Sequence, residues 1–332
     1  MNIATNASWE VDANDITLGD VIGRGSFGVV KRGTLHGMDV AIKIIAASAS
    51  VKEKEMASMM LRREVKALSR CQHQNVVRLI GACSNPPMLI LAFASKGTLR
   101  DLLRHQNNEL SPPRKMEILR GICDGMAMLH SKEILHLDLK PENVLISANG
   151  TPWVADFGLA IAMTSTLTGG AGSTKGGRGT MQYKAPEHFA DGDSDSDSDE
   201  AEGETKASPK VTYDKPADVY SFAMMAWEIF SGVVPFAGKM DLKIMKMHTK
   251  ALNGGKIKRP SLDDIPANVA PFIQACWAQD PLLLGTRSCT AAGDKDPVLQ
   301  VFTKGFGRFV SSIWKACISR ELDKGIGQGQ WS

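Results

Sequence analysis

The glycine run Gly23-Arg24-Gly25-Ser26-Phe27-Gly28 constrains this chain most, because of what flanks it. ITLGDVIG leads into it and VVKRGTL leads out, and both are short β-rich runs. A dinucleotide-binding fold needs a helix directly after GxGxxG. Val29-Val30-Lys31-Arg32-Gly33 reads as a strand instead. The glycines therefore join two strands, either as a flap whose backbone approaches phosphates closely or as a plain glycine-rich hairpin.

The next strand and helix favour a ligand. A third strand, DVAIKII, comes after the His36-Gly37 turn and carries Lys43 in Val40-Ala41-Ile42-Lys43. A lysine in an apolar strand is costly to bury alone. Phosphates and a carboxylate would offset its charge. Residues 51–69 have helical spacing, with Met56, Met59, Met60, Val65 and Leu68 as the apolar stripe. Glu64 on that helix is the candidate carboxylate, with Glu53 and Glu55 as competitors. Two more apolar runs, NVVRLIGAC and PMLILAF, complete a small β-rich module with one helix. Beyond Ser95 the pattern turns helical. Residues 113–131 predict an amphipathic helix with Ile118, Ile122, Met126 and Leu129 on one face. Residues 216–231 are apolar nearly all round, as in a helix buried inside a larger lobe.

The most specific segment is His136-Leu137-Asp138-Leu139-Lys140-Pro141-Glu142-Asn143. An aspartate in such a loop can orient an attacking hydroxyl and accept its proton. A lysine can neutralise a transferring phosphoryl group. An asparagine oxygen is a hard ligand suited to Mg²⁺. Asp156-Phe157-Gly158 comes after the short strand TPWVA and offers a second hard ligand.

In this order and at these spacings the motifs resemble the protein-kinase signature set, from about Ile16 to Pro281. The resemblance implies an α+β, bilobal protein kinase fold: a small five-stranded antiparallel N-lobe sheet with one major helix, then a larger, mainly helical C-lobe. It divides the chain into a leader (1–15), an N-lobe (16–94), a C-lobe (95–320) and a tail (321–332). It implies ATP and Mg²⁺ in the cleft. Gly23, Arg24, Gly25 and Gly28 would cover the phosphates, and Val30 and Ala41 would pack on the adenine. The backbone of Ala92, Phe93 and Ala94 would meet the adenine edge, with Leu91 as gatekeeper. Lys43, paired to Glu64, would hold the α- and β-phosphates. Asp138 would be the catalytic base, Lys140 the phosphate-neutralising lysine, and Asn143 and Asp156 the metal ligands. Leu68, Leu79, His136 and Phe157 fit the apolar column joining the lobes of active kinases. Ala185-Pro186-Glu187 resembles the end of an activation segment, and Asp218 the aspartate that braces the catalytic loop. Thr180 and Lys140 point to serine or threonine in protein substrates. HQNVVRLIGAC, DVYSFAMMAWEI and CWAQDP most resemble the tyrosine-kinase-like group of serine/threonine kinases. The alternatives are a nucleotide-binding pseudokinase scaffold and a tyrosine or dual-specificity kinase. The first would be marked by loss of Lys43, Asp138 or Asp156, and all three are present.

Composition excludes other classes. A formal net charge of +3 over 332 residues gives no basic signature for nucleic acid. No apolar stretch reaches the roughly 18 residues of a membrane span. The start has no secretory pattern, and the six cysteines form no CxxC pair. A reducing, cytoplasmic setting is the expectation.

Three departures from the kinase pattern stand out. Leu137 replaces the arginine that usually anchors an activation-loop phosphate. Activity is therefore expected not to depend on a phosphate held there, although Thr164, Ser165, Thr166, Thr168, Ser173 and Thr174 are available. Within an insert at 191–206, residues 191–204 (DGDSDSDSDEAEGE) carry eight acidic side chains and no basic one. The chain outside that run is thus eight charges more positive than its total. Such a run self-repels and reads as a disordered surface loop. The sharper readings are a competitor for the basic substrate groove, or a regulatory tail in which Ser194, Ser196 and Ser198 suit an acid-directed regulatory kinase. Finally, the arginine expected soon after Pro281 as partner to Glu187 is late, at Arg287. Arg308 is a better local match, which makes 285–307 an atypical insertion; otherwise the last helices of the family are replaced. Losing one partner of such a buried pair costs roughly 3–5 kcal/mol.

Overall fold

The computed structural model describes residues 9–25, 28–45, 50–105, 110–157, 161–162, 181–189, 215–252, 258–267 and 269–277. Ser26, Phe27, Gly158, the hydroxyls from Thr164 to Thr174, Thr180, the insert 191–206, the segment 285–307, Arg287, Arg308 and the side chain of Glu187 lie outside them. The described residues form two compact units. The first runs to His136 and resumes from Lys140 to Ala162; the second takes in Leu137–Leu139 and everything from Met181 onward.

The first unit is built on the strands the glycine pattern implies: β1 (Ile16–Gly25), β2 (Gly28–Leu35) and β3 (Met38–Ile45). Helix α1 (Val51–Ser69) comes next, then β4 (Leu79–Ser84) and β5 (Pro87–Ala92). The five strands form one antiparallel sheet in the order β1-β2-β3-β5-β4. Side chains alternate across a strand, so the register assigns faces. Gly23 pairs with Val30, Val30 with Lys43, and Ala41 with Leu91. All five residues therefore share one face. The other face carries a core of Leu35, Val40, Ile42, Cys83, Met88 and Ile90.

The described part of the expected leader covers that second core. The Val11 amide donates to Ala82 O at 2.9 Å and the Ala82 amide to Trp9 O at 2.7 Å, so this segment lies parallel along β4. Glu10 accepts from the Ser84 amide and hydroxyl at 3.0 and 2.9 Å. Val11 and Ala13 pack on the core. Gly81 permits this approach, because a Cβ there would sit 2.3 Å from Val11 Cγ2. An edge that would otherwise present unpaired backbone groups is thereby occupied.

Helix α1 starts at an N-cap, where the Ser50 hydroxyl accepts the Glu53 amide at 3.3 Å. It packs against β4 and β5. Of the apolar positions that marked the helix, Val65 and Leu68 are buried, whereas Met56 is 50% and Met59 38% exposed. The buried face is Ala57, Leu61, Glu64, Val65 and Leu68. That stripe also has helical spacing, but it includes an alanine and a glutamate, which a count of large apolar residues passes over.

The unit continues through α2 (Leu99–His105), α3 (Pro112–Ser131), and the short strands β6 (Ile134–Leu135), β7 (Val144–Ile146), β8 (Pro152–Val154) and β9 (Ile161–Ala162). β6 pairs with β9 and β7 with β8, so the stretch from Pro141 to Asn143 and residues 155–157 are held at strand ends. As expected, Ile118, Ile122, Met126 and Leu129 form the buried face of α3.

The second unit centres on α4 (Lys215–Ser231), in which every residue from Ala217 to Ile229 is buried. Around it lie α5 (Asp241–Leu252), α6 (Ala270–Cys276) and 3-10 turns at Met181–Tyr183 and Pro186–Phe189. Phe222 of α4 meets Phe272 of α6 edge-on at 6.0 Å. Among the described residues no helix is long and apolar enough to cross a membrane.

Candidate active site

Lys43 is 9% exposed, and its Nζ donates to both oxygens of Glu64, at 3.0 and 2.9 Å. Burial would lower the ammonium pKa, but the carboxylates of Glu64 and Asp156 outweigh it and the pKa is raised. Lys43 is thus a cation at any ordinary pH. Burial pushes the Glu64 carboxyl upward, and the Lys43 charge opposes that push. The choice among Glu64, Glu53 and Glu55 is settled by helical geometry, since Glu64 lies on the buried face of α1 and is 3% exposed, while Glu53 and Glu55 are exposed.

Lys43 Nζ also donates to Asp156 Oδ1 at 2.7 Å. The sequence offered Asp156 only as a hard ligand. The two residues are 113 positions apart, and no local pattern announces the bond. Asp156 sits at φ +62 and Leu137 at φ +64, in the left-handed region that non-glycine residues rarely adopt. Such conformations cost about 1–3 kcal/mol and persist where surrounding contacts hold them. Lys43 grips the Asp156 carboxylate. The Leu137 amide is accepted by Asp218 Oδ1 at 2.8 Å, and Asp218 is wholly buried. The bracing expected of Asp218 is therefore visible, one residue before Asp138.

The other expected residues occupy definite places. Gly25 pairs with Gly28 at the hairpin mouth, and Gly28 has φ +148, which a side chain would resist. Arg24 is exposed opposite Val29. Ala92 pairs with Val40 at the end of β5, and Ala94 O accepts the Gly97 amide at 3.2 Å. Asn143 is 6% exposed; its amide is bonded to Lys140 O and its carbonyl to the Ala155 amide, both at 2.9 Å. This ties the backbones of Lys140, Asn143 and Ala155, the residue before Asp156. Leu68, Leu79, His136 and Phe157 are all buried, with the His136 and Phe157 rings 5.6 Å apart. His136 Nε2 lies 2.9 Å from Ala155 O. In the second unit, the Tyr183 hydroxyl bonds to Glu228 and the Ser221 hydroxyl to Tyr183 O, fixing the turn before Ala185 to the buried helix.

A buried lysine held by a helix carboxylate, under a glycine hairpin and beside an aspartate in the left-handed region, agrees with what comparison of the whole sequence finds. The protein tyrosine and serine/threonine kinase family matches residues 16–283. The chain belongs to this family. Its kinase domain is 31% identical to the probable serine/threonine-protein kinase drkD of Dictyostelium discoideum over 277 residues, 82% of this chain and 19% of that protein. It is 30% identical to the serine/threonine-protein kinase STY46 of Arabidopsis thaliana, covering 82% of this chain and 42% of that one. It is 31% identical to mitogen-activated protein kinase kinase kinase 7 of Bos taurus, again covering 82% and 42%. The resemblance to tyrosine-kinase-like serine/threonine kinases is thus borne out. The kinase chain spans less than half the length of these curated relatives.

Proposed function

We propose that this chain transfers the γ-phosphoryl group of ATP, with Mg²⁺, to serine or threonine hydroxyls of protein substrates. The observation that carries the reading is the Lys43 ammonium, buried and bonded to Glu64 and Asp156. A buried cation with two carboxylates is expensive to assemble, and it is the arrangement that gripping a triphosphate needs.

The donor set fits Mg²⁺. Among the described residues no group of three or more His, Cys, Asp or Glu could hold a metal ion. Asn143 and Asp156 offer two hard oxygens. Mg²⁺ takes one or two carboxylates and completes its shell with substrate phosphates and water. When bound, it would neutralise charge on the triphosphate.

The chain's own residues would do the rest. Gly23, Arg24, Gly25 and Gly28 lay backbone over the phosphates, and Val30 and Ala41 present apolar surface to the base. The backbone of Ala92 and Ala94 meets the base edge. Lys43, oriented by Glu64, holds the α- and β-phosphates. Asp138 orients the acceptor hydroxyl and takes its proton, and Lys140 steadies the transferring charge. The same reading places the chain in the cytoplasm, where Cys71, Cys83, Cys123 and Cys276 keep the free thiols they have here. It also makes Ser194, Ser196 and Ser198 targets for a regulatory kinase.

Transfer of labelled γ-phosphate to a generic protein substrate, with phosphoamino-acid analysis of the product, tests this. Asp138→Asn should lose about 10²–10⁴-fold in rate while still binding ATP. Phosphoserine and phosphothreonine are the expected products, and phosphotyrosine alone would overturn the substrate class. Because Leu137 cannot anchor a phosphate, phosphatase treatment should leave the rate unchanged.

A further inference from the structure

Helix α5 carries Lys243, Lys246 and Lys250, all exposed. At 3.6 residues per turn these positions fall on one stripe. Asp241, at the first turn, is the acidic residue of the helix. Among the described residues none of the three lysines makes an ion pair, so the stripe is a like-charged row without a counter-charge.

The opposite face of the same helix is anchored. His248 is 1% exposed and stacks on Phe189 with ring centroids 5.1 Å apart and planes 8° from parallel. The turn Pro186–Phe189 packs on α5. The chain therefore leaves Phe189 against the back of the lysine helix, and the acidic run begins two residues later, at Asp191. Half the girth of a helix about 10–12 Å across is covered by roughly five extended residues. A tether of that length, counted from Phe189, is enough to reach from the anchored face of α5 to its lysine face. Twenty-five residues separate Phe189 from Lys215, where α4 begins, which leaves ample length to return.

We infer that the acidic run 191–204 docks in cis on the Lys243, Lys246 and Lys250 stripe of α5. Each exposed charge pair is weak by itself. Eight carboxylates facing a lysine row, on a tether this short, act at a high effective concentration. The contact is electrostatic and is therefore sensitive to salt. It does not depend on catalysis.

Lysine acylation footprinting of the full chain, read by mass spectrometry, tests this directly. At low salt Lys243, Lys246 and Lys250 should react about threefold more slowly in the wild type than after deletion of 191–204, and the difference should vanish by about 0.5 M NaCl. Lys66 and Lys132, exposed in the first unit, serve as controls. A chain of unchanged length carrying Asp193→Asn, Asp195→Asn, Asp197→Asn and Asp199→Asn should behave like the deletion, which covers the case in which the deletion misfolds. Zero-length carbodiimide coupling should join carboxylates of 191–204 to the three lysines within the monomer. Equal labelling in wild type and both variants overturns the docking, as does a rise shared by Lys66 and Lys132. Cross-links confined to dimers overturn docking in cis in favour of a second copy.

Discussion

Two polar clusters are built around a buried side chain, Lys43 in the first unit and His248 in the second, and resolve burial in opposite ways. In the first unit the Lys43 ammonium meets Glu64 and Asp156, and charge is retained because it is answered by charge. In the second unit His248 lies among rings: Phe189 stacked at 5.1 Å, Phe236 edge-on at 6.0 Å and Tyr220 edge-on at 6.4 Å. Neither ring nitrogen of His248 has a hydrogen-bond partner among the described residues. Burial, with the Arg259 guanidinium adding to it, holds its pKa down to about 4. Arg259 itself is fixed over the Tyr220 ring at 4.7 Å and donates twice to Trp277 O, at 3.1 and 2.8 Å. Depth alone does not decide whether a buried group is charged; the partner does. The cluster that keeps its charge is the one proposed to hold the triphosphate, and the one that loses it packs like core.

The largest effect that could overturn this contrast is expected at Lys43. Lys43→Met leaves Glu64 buried without its cation, which should cost roughly 3–5 kcal/mol in unfolding free energy and abolish measurable phosphoryl transfer. Chemical denaturation and the transfer assay read the two losses separately. Loss of transfer with no change in stability would mean that the pair contributes nothing to the fold.

The His248 cluster should respond to acid instead. Its folded pKa of about 4 lies below the ordinary 6.5, so between these values the unfolded chain binds more protons. The stability tied to a neutral His248 is complete above 6.5. It is lost as pH falls toward 4, by about 3 kcal/mol in all, and the loss levels off below that. Denaturation midpoints against pH should show this slope, and His248→Phe should flatten it. An unchanged slope would assign the acid sensitivity to other groups.

A smaller effect tests whether partners matter at the scale of one bond. Asp218→Ala orphans the Leu137 amide and should cost about 1–3 kcal/mol, with slower transfer because Asp138 is the next residue. Asp218→Asn keeps an acceptor and should recover most of the stability. The weakest effect is expected at the sheet edge. Val11→Ala removes apolar contact from a half-buried position and should cost about 1 kcal/mol or less, seen as faster amide exchange at Ala82.

Much of this protein was legible along the chain. The glycine run, the strand after it, the helix from 51 to 69, the helix α4 that is apolar nearly all round and the loop from His136 to Asn143 could be read because each is a local pattern with its own period or turn chemistry. These were enough to name the family and to assign the residues that gather on one sheet face. Packing settled what locality cannot. Glu64 faces Lys43 because the buried face of α1 runs through Ala57, Leu61 and Val65, whereas the larger Met56 and Met59 point outward. The bond from Lys43 to Asp156 closes over 113 residues. Trp9 and Val11, which look like a leader, are held by β4 backbone and by a glycine that leaves them room. His248 shares its helix with Lys243, Lys246 and Lys250. It loses its charge because Phe189, Phe236 and Tyr220 close around it, and burial of that kind is a property of packing rather than of any window along the chain.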